Sequence, residues 1–89
     1  MKAVDRSRAL AEHLGDSLSG ASIRRLMRIN HKTIRDIAQE FNLPMTRVRY
    51  VREHGVTGIA FVCDWIQATC GEEAARAYLQ RRREQESKP

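Results

Sequence analysis

Residues 34–53 have the sequence IRDIAQEFNLPMTRVRYVRE, and this stretch decides the fold. Apolar side chains recur at helical spacing on both sides of Asn42-Leu43-Pro44. Proline cannot donate to a helix ladder and restricts the residue before it, so the first helix must end there. Pro44 also suits the first turn of a following helix, where a missing N–H costs little. The stretch therefore predicts two helices joined by a short turn, the second over about 45–54.

Three features around this turn favour the helix pair. Thr33 and Asp36 fit the capping-box pattern that begins a helix. Ala38 supplies the small side chain that is needed where the two helices approach each other. Asn42 takes the turn position that usually has a positive φ, a conformation that asparagine tolerates best after glycine. The predicted inner faces of the pair consist of Ile37, Phe41, Leu43, Val48 and Val51.

The remainder of the chain also has helical spacing. We predict further helices over residues 2–14, 22–30, 59–70 and 72–84, with the most apolar of them, 59–70, buried. No segment has the alternating pattern of a strand. A length of 89 residues suits one domain. The sequence therefore predicts a single all-α domain over 1–89, a compact bundle of five or six short helices with a helix-turn-helix core at 22–54.

The positive charge of the chain is concentrated in its middle third. Residues 23–55 carry eight basic and three acidic side chains, which accounts for the whole net charge of +5. A localised basic segment is typical of phosphate binding, because each neutralised phosphate releases counterions. The N-terminal residues lack the apolar core of a signal peptide, and no apolar run approaches the ~20 residues of a membrane span. We expect a cytoplasmic protein with a polyanionic partner and no membrane contact.

The sequence contains no recognisable catalytic constellation. It lacks a glycine-rich phosphate loop and a nucleophile beside a plausible base, so we expect no enzyme activity and no cofactor. Cys63 and Cys70 are seven residues apart on one predicted helix, too far for a disulfide, and are expected to be reduced core residues. The three histidines have no partners at metal-ligand spacing, so no metal site is expected.

Residues 22–70 resemble the Cro and lambda-repressor type of helix-turn-helix domain. In that family a helix precedes the motif, as predicted here for Ser22 to Asn30, and apolar helices follow it, as predicted for Ile59 to Cys70. The short regulators of phages and plasmids, including anti-CRISPR-associated repressors, are similar in size and layout. The asparagine at position 42 departs from the glycine that is usual in the family. The resemblance implies binding to the major groove of double-stranded DNA.

The resemblance also implies roles for individual residues. With Val48 and Val51 facing inward, the base-reading candidates on the outer face and N-terminal end of the second helix are Met45, Thr46, Arg49 and Tyr50. Among them, Arg49 best suits guanine, because its guanidinium can pair with O6 and N7 together. The candidates for phosphate contacts are Lys32, Thr33, Arg35, Arg47 and Arg52. Met45 equally suits a packing role over the turn, and Tyr50 suits a half-buried position against a neighbouring helix.

Two functions from different classes are compatible with this sequence. The first is a sequence-specific transcriptional repressor that binds DNA as a homodimer, because one ten-residue helix contacts too few base pairs. The helices at 59–70 and 72–83 are the candidates for its dimer surface. The alternative is a small protein-binding inhibitor of a host defence complex, anti-CRISPR-like, in which the helical scaffold serves protein contact.

Overall fold

The computed structural model describes residues 14–87, which form five helices and two very short strands. The predicted helix at 2–14 lies outside the described residues apart from Leu14, which is not helical. In chain order the elements are β1 (Ser17–Leu18), α1 (Gly20–Ile29), α2 (Ile34–Glu40), α3 (Met45–His54), β2 (Val56–Thr57), α4 (Ile59–Cys70) and α5 (Glu72–Ser87). The predicted all-α bundle is confirmed.

Two of the predicted helix boundaries were wrong. Helix α1 begins two residues earlier than Ser22, because the Ser19 side chain caps it by accepting from the backbone N–H of Ser22. Helix α5 continues past residue 84 to Ser87. Its last turns are stabilised by side-chain pairs one turn apart, including Arg81 with Glu84 and Arg82 with Gln85.

The prediction that the chain has no strand was also wrong. Ser17 and Leu18 pair antiparallel with Thr57 and Val56, and the Gly58 N–H donates to the Asp16 carbonyl oxygen at 2.7 Å. Two residues per strand are too few to produce an alternating pattern in the sequence. This small sheet connects the segment before α1 with the segment after α3.

The helix pair α2–α3 has the local geometry that the sequence predicts. Thr33 and Asp36 form a reciprocal capping box at the start of α2. Asn42 has φ of 53°, and the Leu43 N–H donates to the Ala38 carbonyl oxygen at 2.9 Å. Helix α3 runs from Met45 to His54 as predicted, and Pro44 is its N-cap residue rather than part of its first turn. The turn therefore closes as a short, hydrogen-bonded connection between two helices.

The hydrophobic core lies where α1 packs against both α3 and α4, with α2 packed against α3 and α5 packed against α4. The inward-facing residues predicted for α3, Val48 and Val51, are both buried. Helix α4 buries one face, with Trp65 near its centre, but Phe61 and Asp64 are exposed, so the helix is not buried on all sides as the sequence predicted. In α5, Tyr78 is fully buried and its hydroxyl donates to the Gly15 carbonyl oxygen at 2.7 Å.

Helices α1 and α3 meet at a backbone contact that leaves no room for a side chain. A Cβ atom at position 20 would lie 2.5 Å from the carbonyl oxygen of Arg52 and 2.6 Å from that of Glu53. At the end of α3, Gly55 has φ of 79°, and a Cβ there would lie 2.3 Å from the Leu18 carbonyl oxygen. This contact therefore requires glycine at both positions. We call the contact, together with the small sheet, the glycine seam.

Replacing Gly20 with alanine tests the glycine seam. The added Cβ would meet backbone oxygen atoms, which cannot rotate away, so we expect Gly20→Ala to lower the free energy of unfolding by about 1–3 kcal/mol. The matched control is Gly15→Ala, because a Cβ at Gly15 meets nothing within 4 Å. We expect its effect to stay within about 0.5 kcal/mol. Denaturant unfolding measures both variants, and equal stability of the two would contradict the close approach of α1 and α3.

Candidate nucleic-acid interface

Helices α1, α2 and α3 enclose an open concave surface of about 890 Å³. Half of its ten lining residues are cationic, and none of the described residues that line it is acidic. These cations are Arg24, Arg28, Lys32, Arg35 and Arg52. We call this surface the cationic concavity. It gathers five of the eight basic residues that the sequence places between positions 23 and 55.

Helix α1 contributes two arginines that the sequence analysis did not assign to a site. Arg24 and Arg28 are four residues apart, so they lie on one face of the helix, and both are exposed to solvent. Their spacing was visible in the sequence, but the direction of that face depends on how α1 packs against α3. Arg25, between them in sequence, does not line the cationic concavity.

Arg52 joins the two sides of the cationic concavity. The Arg24 guanidinium donates to the backbone carbonyl oxygen of Arg52, near the end of α3. The Nε atom of Arg52 is buried and has no hydrogen-bond partner among residues 14–87. A buried donor without a partner is costly to the fold.

The residues just before α2 and in its first turn form the next part of the cationic concavity. Lys32 forms an ion pair with Glu40 at 3.2 Å, in which the Glu40 side chain is exposed and the Lys32 side chain is half-buried, so solvent weakens the pair and a competing anion can displace it. The Thr33 backbone N–H donates to Asp36, which lowers the pKa of that carboxyl group. Thr33 therefore already uses its N–H within the capping box. Arg35 is exposed and has no ion-pair partner among residues 14–87.

Of the four base-reading candidates, one lines the cationic concavity and three do not. Met45 lines it and is partly buried against the core, so it also takes the packing role that was its alternative. Thr46, Arg49 and Tyr50 are exposed on the outer side of α3. The Tyr50 ring, 58% exposed, stacks on His54 with 4.1 Å between ring centroids. Tyr50 is thus not half-buried against another helix.

Arg47 is separated from the other predicted phosphate contacts. It does not line the cationic concavity but a smaller groove formed with α4, which also contains Phe61, Asp64 and Trp65. Of the five phosphate candidates, the structure therefore brings four together and places Arg47 elsewhere. Arg47 and Arg52 are five residues apart on a helix with 3.6 residues per turn, so they project in different directions. Arg52 faces the concavity formed with α1, and Arg47 faces the groove formed with α4.

Both cysteines are free thiols. Cys70 is buried and Cys63 is partly buried, and burial raises the pKa of the Cys63 thiol, with the Asp64 charge adding to the effect. Within residues 14–87 no three metal-ligating side chains cluster together. None of the described helices combines the length and the apolar character needed to cross a bilayer.

Comparison of the chain with protein-family models, with curated proteins and with solved structures finds no match. The interpretation of the surface therefore depends on its geometry and charge.

Proposed function

We propose that this protein is a sequence-specific regulator of transcription that acts in the cytoplasm by binding double-stranded DNA. The observation that carries the proposal is the cationic concavity, in which three helices bring five cations together with no acidic residue among the described lining residues. A surface of one sign inside a concave wall attracts a polyanion from a distance and holds it on contact.

Phosphate contacts supply affinity in this proposal. Arg28 and Arg35 are exposed and have no ion-pair partner among residues 14–87, so they can bind phosphate oxygens without breaking an internal pair. The capping box already uses the backbone N–H groups of Thr33 and Asp36, so at the start of α2 the phosphate contact comes from the Arg35 side chain. A DNA strand along the cationic concavity would therefore meet donors from α1, α2 and α3.

Base contacts supply specificity from the outer side of α3. This ten-residue helix has its inward side fixed by two buried valines, so its orientation in the protein is well defined. Arg49 and Thr46 project to solvent with polar groups that can bond base edges. The free face of the Tyr50 ring can contact a thymine methyl group. Binding of this kind to a promoter would exclude other proteins from it, which is how we propose that the chain represses transcription, as a homodimer on a two-fold site.

The salt dependence of duplex binding tests the phosphate contacts. If Arg28 neutralises a phosphate, Arg28→Gln should weaken binding to every duplex about equally and reduce the slope of log affinity against log salt by about one. The control is Arg25→Gln, which removes the same charge from the same helix outside the cationic concavity. We expect it to leave the slope nearly unchanged. Fluorescence anisotropy at a series of salt concentrations measures both.

Equal losses from the two variants would mean that only net charge attracts DNA, and the cationic concavity would have no special role. A duplex affinity that does not change with salt would reject the DNA proposal, and the protein-binding alternative would then be preferred.

Selection from a random duplex pool tests the base contacts. On the enriched site, Arg49→Ala should cost about 1–3 kcal/mol of binding free energy and relax the preference at one base position. The Arg28→Gln variant provides the comparison, because a phosphate contact should leave every base preference intact. Thermal melting of each variant checks that the fold is retained. An Arg49→Ala protein that enriches the same site with undiminished preference would show that Arg49 reads no base.

A further inference from the structure

The groove that contains Arg47 is a second concave surface, and it shares no lining residue with the cationic concavity. It has a volume of about 350 Å³ and lies between the α2–α3 turn, α3 and α4. Phe41 and Leu43 line it from the turn, and Phe61 and Trp65 line it from α4. We call it the aromatic groove. No role in DNA binding accounts for its apolar lining.

Aromatic residues are concentrated at this surface. The chain has only five, and three of them, Phe41, Phe61 and Trp65, line the aromatic groove. Phe61 is 57% exposed, although it belongs to the most apolar helix of the protein. Large aromatic side chains that are exposed beside an apolar concavity are enriched at protein–protein interfaces, where they act as anchors. The aromatic groove therefore has the composition of a docking surface.

The aromatic groove carries charges of both signs. Arg47 on α3 and Asp64 on α4 stand on different walls, and neither has an ion-pair partner among residues 14–87. A two-fold contact brings each residue of the patch against the same patch of the partner, so it suits a surface that carries both signs. We propose that the aromatic groove is the surface on which a second copy of this chain docks, with Phe61 inserted into the partner's groove and Arg47 of each copy paired with Asp64 of the other.

This arrangement rests on the homodimer of the proposed function, for which it names the contact surface, and it can be measured without DNA. The aromatic groove and the cationic concavity have no lining residue in common, so the proposed contact uses none of the residues that line the cationic concavity. It also assigns Arg47 to protein contact in place of the phosphate contact that the sequence suggested. A groove of this size covers a small part of the surface, so we expect a dimer that forms in the micromolar range of concentration.

Sedimentation equilibrium of the full chain in the absence of DNA tests the proposal. We expect the wild type to form a two-fold species and Phe61→Ser to weaken its association by about tenfold or more. The matched control is Tyr50→Ser, which removes an equally exposed aromatic ring outside the aromatic groove. We expect that variant to associate like the wild type. Because both side chains are exposed, neither change should lower the melting temperature substantially.

A charge exchange tests the pairing across the two-fold axis. Arg47→Asp and Asp64→Arg each place like charges opposite one another in the dimer, so each alone should weaken association. The double variant restores opposite charges and should regain most of the lost affinity. Rescue of this kind is not expected from two unrelated effects on folding.

Three results would overturn the proposal. These are a wild-type protein that stays monomeric up to several hundred micromolar, a Tyr50→Ser protein that dissociates as readily as Phe61→Ser, and a charge-exchanged double variant no better than its single variants. The first result would also count against the homodimer of the proposed function, whereas duplex binding itself is measured separately by the Arg28 and Arg25 variants.

Discussion

The backbone contact between the start of α1 and the end of α3 determines the arrangement of the functional surfaces. Gly20 lies against the carbonyl oxygens of Arg52 and Glu53, and the strand pair Ser17–Leu18 with Val56–Thr57 holds the adjoining chain in register. The partial positive charge of a helix N-terminus here meets carbonyl groups at a helix C-terminus, which is electrostatically favourable. The glycine seam thus fixes the position of α1 relative to α3 without using a side chain.

The cationic concavity is a consequence of this contact. Because α1 is held at the end of α3, the face of α1 that carries Arg24 and Arg28 is directed toward Arg52. The α2–α3 turn then sets the angle between α2 and α3. This angle brings Lys32 and Arg35, which lie just before α2 and in its first turn, to the same surface. Like charges repel, so bringing five cations together opposes folding. A buried apolar core holds them in place, and an anionic ligand would relieve the repulsion.

The sequence was sufficient to predict local structure wherever one residue dictates a backbone conformation. The capping box of Thr33 and Asp36, the positive φ of Asn42 and the break at Pro44 are local properties, and the helix pair follows from them. The strand pair was not predictable, since two-residue strands leave no pattern. His31 also has a positive φ, which was not predicted, although histidine adopts this conformation more often than most residues do. Its backbone N–H donates to the Arg28 carbonyl oxygen at the end of α1.

The candidate site was only partly predictable, for a different reason. The sequence identifies the basic segment and the outward-facing residues of α3, because helical periodicity fixes which side chains lie opposite Val48 and Val51. It does not reveal which helix each side chain faces across space. Arg24 and Arg28 were therefore missed, and Arg47 was grouped with residues from which the structure separates it. The aromatic groove depends in the same way on the packing of α4 against the turn.

The central claim is that DNA binds at the cationic concavity and along the outer side of α3. Amide NMR spectra of the isotope-labelled protein, recorded during titration with a duplex of the enriched sequence, test it most directly. The account predicts that the largest shift changes fall within residues 24–35 and 45–52 and decrease as salt is raised, because phosphate contacts are screened. Changes confined to α4 and α5, or no changes at a duplex concentration that saturates binding, would contradict it.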